Sequence, residues 1–148
     1  MYLFRRVGAN GTMRAYIAAR YDRREEVYAY SHELEALGIE IVSTWIDGHH
    51  EVRPDVERDA TEEEIRSWAE EDLRDLRRAD TLIFFSEPPG NGSKRGGRHV
   101  EMGFALAKGH RILVVGDPEN VFHRLFEVRH YPTFDELMKR LRSERGIR

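Results

Sequence analysis

The chain has 148 residues, 40% hydrophobic and 34% charged, with two Trp, six Tyr and seven Phe. That is the length of one ordinary domain and enough apolar material for one core, which excludes a disordered chain. Its 24 Lys and Arg stand against 27 Asp and Glu, a formal charge of -3, so no bulk basic field draws it to polymeric nucleic acid or anionic lipid. A small-molecule partner is expected instead.

The sequence contains no cysteine. Disulfides, thiolate zinc sites and cysteine nucleophiles are therefore excluded, and a reducing, cytoplasmic setting is expected. Apolar runs such as Ile112 to Val115 fall far short of a membrane span. Residues 1–12 read as an extension ahead of a single domain over 13–148.

In chain order, the short apolar run Arg14–Ala19 predicts a first strand, with Asp22 as cap for the charged segment that follows. Val27, Tyr30, Leu34 and Leu37 recur at helical steps, and Gly38 supplies a left-handed stop. Ile39 to Trp45 predicts a second, β-branched strand, and Asp47 to Ala60 a long loop. Thr61 and Glu64 have capping-box spacing and open a helix to about Arg78, with Ile65, Trp68, Ala69, Leu73 and Leu76 as its buried stripe. Thr81–Phe85 predicts a third strand, Pro88–Gly97 a Gly-rich loop, Arg98–Lys108 a helix closed by Gly109, and Arg111–Val115 a fourth strand. Glu127–Tyr131 is a weaker fifth, and Thr133 with Glu136 repeats the capping-box spacing ahead of a last helix carrying Phe134, Leu137, Met138 and Leu141. Strands alternating with amphipathic helices predict an α/β fold, a three-layer flavodoxin-like or Rossmann-like sandwich around a mainly parallel five-stranded sheet. Ligands in such sheets sit beyond the carboxyl ends of the strands, which gathers Arg20–Arg23, Asp47–Glu51, Ser86–Gly97 and Gly116–Asn120 around one crevice.

Three residues stand out from this scaffold. Asp72 lies four residues after Trp68 and four before Leu76, on the apolar stripe, where a carboxylate is costly unless something uses it; Glu70, Glu71 and Asp75 are expected to project elsewhere. Glu101 follows the Gly-rich loop in the first turn of the third helix, where the helix dipole would keep it ionised as a nucleophile must be. Tyr16 sits on the first strand and needs a polar partner if its hydroxyl is buried. Beside them, Ser93, Lys94, Arg95 and Arg98 could cradle a phosphate with backbone N–H groups. The loop is neither a Walker sequence nor GxGxxG, and no Gly-x-Ser-x-Gly elbow exists. Asp47, His49, His50 and Glu51 lack metal-ligand spacing, so no metal site is expected. Ser86 and Glu87 end the third strand at the crevice edge, within reach of a ligand.

Tyr16-Ile-Ala-Ala on the first strand, Glu71-Asp72-Leu73 ahead of Asp80, and Gly96-Gly97-Arg-His-Val-Glu101-Met-Gly-Phe-Ala-Leu-Ala resemble the nucleoside 2-deoxyribosyltransferase family, over about Arg14 to Val115. Its relatives include N-hydrolases of nucleoside 5′-monophosphates. The resemblance implies cleavage of an N-glycosidic bond by a glutamate that attacks C1′, forming a glycosyl-enzyme that another base or water captures. Glu101 matches the nucleophile, Asp72 the aspartate beside the departing base, and Tyr16 the residue that orients the nucleophile. Ala18, Arg20, Asp22, Ser86, Glu87, Ser93, Arg95, Gly97, Arg98 and Asn120 are the expected substrate-binding residues, Asn120 by its place where some transferases borrow a residue from a neighbouring subunit. Arg95 stands six residues before Glu101, where the transferases commonly have aspartate and the monophosphate hydrolases serine. The resemblance further implies a homo-oligomer, a nucleoside or nucleotide and a free base as partners, and no metal or organic cofactor. A nucleotide-sensing domain without turnover is the competing class, and a phosphoribohydrolase of the cytokinin-activating type would want a Pro-Gly-Gly-x-Gly-Thr core that Pro88-Pro-Gly-Asn-Gly-Ser only partly matches.

Overall fold

The computed structural model describes residues 11–48, 59–90 and 96–147. Five strands, β1 (Arg14–Ala18), β2 (Glu40–Ile41), β3 (Thr81–Phe85), β4 (Arg111–Val115) and β5 (Val128–Tyr131), form one sheet in the order β2-β1-β3-β4-β5. Every pairing is parallel. Four helices cross between or follow the strands: α1 (Arg24–Ala36), α2 (Glu62–Arg78), α3 (Gly97–Ala107) and α4 (Phe134–Glu144). The chain runs outward from β1 to β2 and then crosses back to β3, so the strand order reverses between β1 and β3, the switch point at which flavodoxin-like sheets open a crevice.

The two faces of the sheet are read from β3, whose five residues are all buried. Phe85 points to one side, where the Tyr30 ring of α1 stacks on both Phe85 and Phe134 of α4, with centroids at 5.6 and 3.9 Å. Phe84 points to the other side, under Arg98 and His99 of α3, and α2 packs beside α3 there. Tyr16 pairs with Leu82 and Ala18 with Phe84 in register, so side-chain alternation puts Tyr16 on the α2/α3 face. Thr61 and Glu64 form the expected reciprocal capping box at the start of α2, and the Thr133 side chain accepts from the Glu136 N–H at the start of α4.

Three expectations are corrected. The second strand is only Glu40–Ile41, and a 3₁₀ turn over Thr44–Asp47 replaces its second half. Side chains take over from the ladder there: the Ile17 N–H donates to Ser43 Oγ at 3.0 Å, and the Trp45 indole N–H donates to the Ile17 carbonyl at 2.8 Å. Asp22 does not cap α1, whose N-cap is Arg23 without a side-chain bond; it pairs instead with Arg20 at 2.7 Å. The stripe of α2 is rotated: Ile65 is 53% exposed and Ala69 is exposed, whereas Asp75 is buried beside Leu76. The inward positions are Trp68, Glu71, Asp72, Leu73, Asp75, Leu76 and Ala79, so that the expected Trp68, Leu73 and Leu76 are joined by carboxylates. Leu76→Ala is therefore expected to cost about 2–5 kcal/mol and Ile65→Ala no more than about 0.5 kcal/mol, as checked by denaturant titration.

Candidate active site

Each of the three singled-out residues is carried to one place by a different element. Tyr16 comes from the middle of β1, Asp72 from α2, and Glu101 from α3. Tyr16 is fully buried and its hydroxyl has no hydrogen-bond partner among the described residues. One carboxylate oxygen of Glu101 is likewise buried without a partner there. The phenol nonetheless stands close enough to Glu101 to favour its carboxylate form, without reaching the geometry of a settled hydrogen bond.

The electrostatics differ from the expectation of a dipole-stabilised carboxylate. Burial first, and the negative charge of Asp72 second, push the Glu101 carboxyl up to about 8, against the opposing Tyr16 hydroxyl and Arg98 charge. Glu101 is the fifth residue of α3 rather than part of its first turn, where the dipole has faded and desolvation dominates. The Tyr16 phenol is raised well above its usual value, by burial and then by Glu101 and Asp72. Glu101 and Tyr16 thus both hold their protons to higher pH than free side chains do, each of them under the charge of Asp72 as well as the cost of burial.

Glu71 and Asp75, expected to project away, belong to the same wall of α2. Asp75 accepts the Thr44 backbone N–H at 2.9 Å, and the Thr44 hydroxyl lies 2.7 Å from Asp75 and 2.5 Å from Glu71. This network ties α2 to the turn after β2. The polar residues that no sequence pattern singled out are Glu119 and His123. Glu119 accepts Arg98 Nη1 at 2.6 Å and Nη2 at 3.0 Å, and the Glu87 N–H at 3.3 Å. Burial raises its carboxyl, but the hydrogen bonds and charge of Arg98 outweigh that, and it ends below the ordinary value. Burial pushes the His123 imidazole down to about 4, and with Nδ1 accepting the Glu119 N–H at 3.0 Å the ring is neutral and protonated at Nε2. The signal for Glu119 was its place just past Gly116, at the crevice edge facing the start of α3.

The expected substrate-binding residues divide. Arg20, Asp22, Ser86 and Glu87 line an open cleft of about 520 Å³ at the carboxyl edge of the sheet, with Arg23, Tyr30, Phe85 and Phe134. That cleft opens on the α1/α4 side, and Tyr16, Asp72 and Glu101 do not line it. Gly116, with φ at +110°, lets the chain leave β4 tight against Ser86, where a Cβ would meet the Ser86 Cβ at 2.9 Å. Ala18 is fully buried at the end of β1. Gly97 begins α3, and Asn120 caps the 3₁₀ turn Val121–Arg124 while its amide nitrogen lies 3.2 Å from His99 Nδ1. Arg98 is 5% exposed and engaged with Glu119 and the Phe85 carbonyl, with its plane 4.9 Å over the Phe84 ring, rather than open to a phosphate. Ser93, Lys94 and Arg95 lie outside the described residues, as do His49, His50 and Glu51.

Because the folded Glu101 carboxyl sits near 8 and its ordinary value is 4.5, the folded state keeps a proton that the unfolded chain gives up. Stability from this group is full below about 4.5 and is lost as pH rises through 8. Glu101→Gln removes that loss, so thermal and denaturant scans at pH 5 and pH 8 are expected to show the variant gaining about 1–3 kcal/mol on the wild type across the interval. An unchanged difference would place Glu101 in water.

No protein-family model and no curated protein sequence matches the chain. Solved structures do match it. The 2-deoxyribosyltransferase of the psychrotolerant bacterium Bacillus psychrosaccharolyticus superposes with a TM-score of 0.64 at 16% identity, over 84% of this chain and 90% of that one. The Clostridium botulinum CMP N-glycosidase gives 0.54 at 20% identity, over 86% and 97%, and a conserved protein from Enterococcus faecalis V583 gives 0.59 at 15% identity, over 90% and 99%. At these identities the shared property is the fold: this chain has the five-stranded parallel α/β architecture on which a 2-deoxyribosyltransferase and a CMP N-glycosidase are built.

Proposed function

We propose that the protein cleaves the N-glycosidic bond of a nucleoside or nucleotide through a glycosyl-glutamate and transfers the sugar to a second base. The observation that carries this reading is the meeting of Glu101, Asp72 and Tyr16 at the reversal of strand order, with buried polar atoms of Tyr16 and Glu101 lacking partners among the described residues. Two neighbouring carboxyl groups that cannot both be ionised cheaply provide one nucleophile and one acid, the division of labour in retaining glycosidases.

In the reactive protonation state Glu101 is ionised and Asp72 carries the proton. The Glu101 carboxylate attacks C1′, the C1′–N bond breaks, and the departing base takes its electron pair and the Asp72 proton. Tyr16 holds the attacking carboxylate in place. A second base then attacks C1′ from the side the first one left, its N–H proton passes to Asp72, and Glu101 is released. Hydrolysis of a nucleoside 5′-monophosphate is the second reading, favoured by Arg95, where the transferases commonly carry an aspartate, by the basic Lys94 beside it, and by the likeness to a CMP N-glycosidase; water then takes the place of the acceptor base. The exposed apolar group Val121, Phe122, Leu125 and Phe126, the last 87% exposed, supports a homo-oligomer, and light scattering is expected to give a mass above one chain.

Chromatography of a panel of nucleosides and their 5′-monophosphates, each with and without a free acceptor base, separates these readings. New nucleoside made only with acceptor means transfer, free base released from monophosphates regardless of acceptor means hydrolysis, and saturable binding without turnover means a sensor. Glu101→Ala is expected to abolish turnover and Asp72→Asn to slow it by about 10²–10⁴; full activity in the first variant would remove Glu101 as nucleophile. With the pair sharing one proton, kcat/KM is expected to be bell-shaped with its alkaline limb near 8, and Asp72→Asn to lose that limb.

A further inference from the structure

We propose that Arg98 and Glu119 are positioning residues for the Glu101 reaction, a buried ionic clamp that holds the catalytic turn of α3 at the carboxyl edge of the sheet and keeps a positive charge on it. The inference rests on the reading of Glu101 as nucleophile. Gly96, at the N-cap of α3, offers no side chain to cap the helix, so the first turn is tied down from within. Arg98 is the anchor: its Nη1 donates to the Phe85 carbonyl at 3.2 Å, and the two Nη atoms grip both oxygens of Glu119 at 2.6 and 3.0 Å. Such a fork fixes a plane as well as a distance.

Glu119 is held in turn from β3. It accepts the Glu87 N–H at 3.3 Å and lies 3.4 Å from Ser86 Oγ, and the Ser86 hydroxyl also donates to the Asp117 carbonyl. The clamp thus joins the start of α3 to the segments that follow β3 and β4 at the carboxyl edge of the sheet. Arg98 stands three residues before Glu101, and neighbours at that spacing share a helix face. A helix that slips by one residue moves about 1.5 Å along its axis, and misplacement by about 1 Å costs about 10²-fold in rate. The charged and titratable groups facing Glu101 are Tyr16 from β1, Asp72 from α2 and Arg98 from α3 itself. Arg98 is the cation of that set, and a buried charge of this kind is kept only with a partner, which Glu119 provides.

The test reads the Glu101 carboxyl directly, by pH titration of ¹³C-carboxyl-labelled glutamate NMR, with the signal assigned by its loss in Glu101→Gln. Arg98→Met, which keeps the volume and removes the charge, is expected to raise the Glu101 midpoint by at least about half a pH unit. Glu119→Gln, which leaves Arg98 uncompensated, is expected to lower it. Arg98→Lys keeps the charge and loses the fork, so its midpoint should stay near wild type while kcat drops about 10²-fold and KM changes less than about threefold. A merely structural pair would not move one carboxyl in opposite directions. Midpoints that coincide in the folded Glu119→Gln and wild-type proteins, or wild-type kcat in Arg98→Lys, overturn the proposal, and these two milder variants decide it if Arg98→Met does not fold. If the wild type turns over no nucleoside or nucleotide, the enzymatic reading falls, while the titration still decides whether Arg98 and Glu119 govern Glu101.

Discussion

The parallel pairing of β1 with β3 is the constraint on which everything else in the molecule turns. Parallel strands cannot be joined by a tight turn, so the chain must cross over the sheet between them, and right-handed crossovers to opposite sides put α1 on one face and α2 and α3 on the other, with α4 packing beside α1 after the last strand. The register Tyr16 to Leu82 then aims a tyrosine from the innermost part of the sheet at the gap between α2 and α3. A slip of one residue would turn Tyr16 to the other face and leave the two carboxylates without it.

That gap is an unfavourable place for charge, and the molecule meets the difficulty in two ways. At the edge, Arg98 and Glu119 neutralise each other with short bonds, and Glu119 collects further donors from β3. Inside, Glu101 has no such cation in hydrogen-bonding contact among the described residues, and it responds by holding its proton to about 8. The same low-dielectric surroundings therefore make one carboxylate a structural anion and the other a proton carrier, and the difference is the position of a single guanidinium. An interior that leaves Glu101 poised is less stable at alkaline pH than one filled with apolar groups, a cost that active sites commonly carry.

Much of the architecture was legible because it rests on local chemistry. The five strands and four helices were marked by apolar periodicity, and the starts of α2 and α4 by threonine caps with glutamate three residues on. Tyr16, Asp72 and Glu101 could be singled out from pattern and resemblance, and the fold brings them together. The errors came where side chains compete with backbone or where polar residues face inward. Ser43 and Trp45 satisfy β1 in place of a full second strand, and counting only apolar residues rotated the stripe of α2 away from Asp75 and Glu71. Glu119 carried no local pattern, because its partner Arg98 lies 21 residues earlier and meets it only across the sheet edge.

The sequence by itself determined the alternation of strand and helix, and with it the parallel three-layer sandwich, because hydrophobic period and capping act within a few residues. It also marked the residues whose chemistry is out of place on such a scaffold. Only the tertiary structure decided how those groups are charged and which of them meet. Desolvation and the field of Asp72 at Glu101, and the closing of Arg98 on Glu119, depend on distances between elements far apart in the chain, which local pattern does not encode.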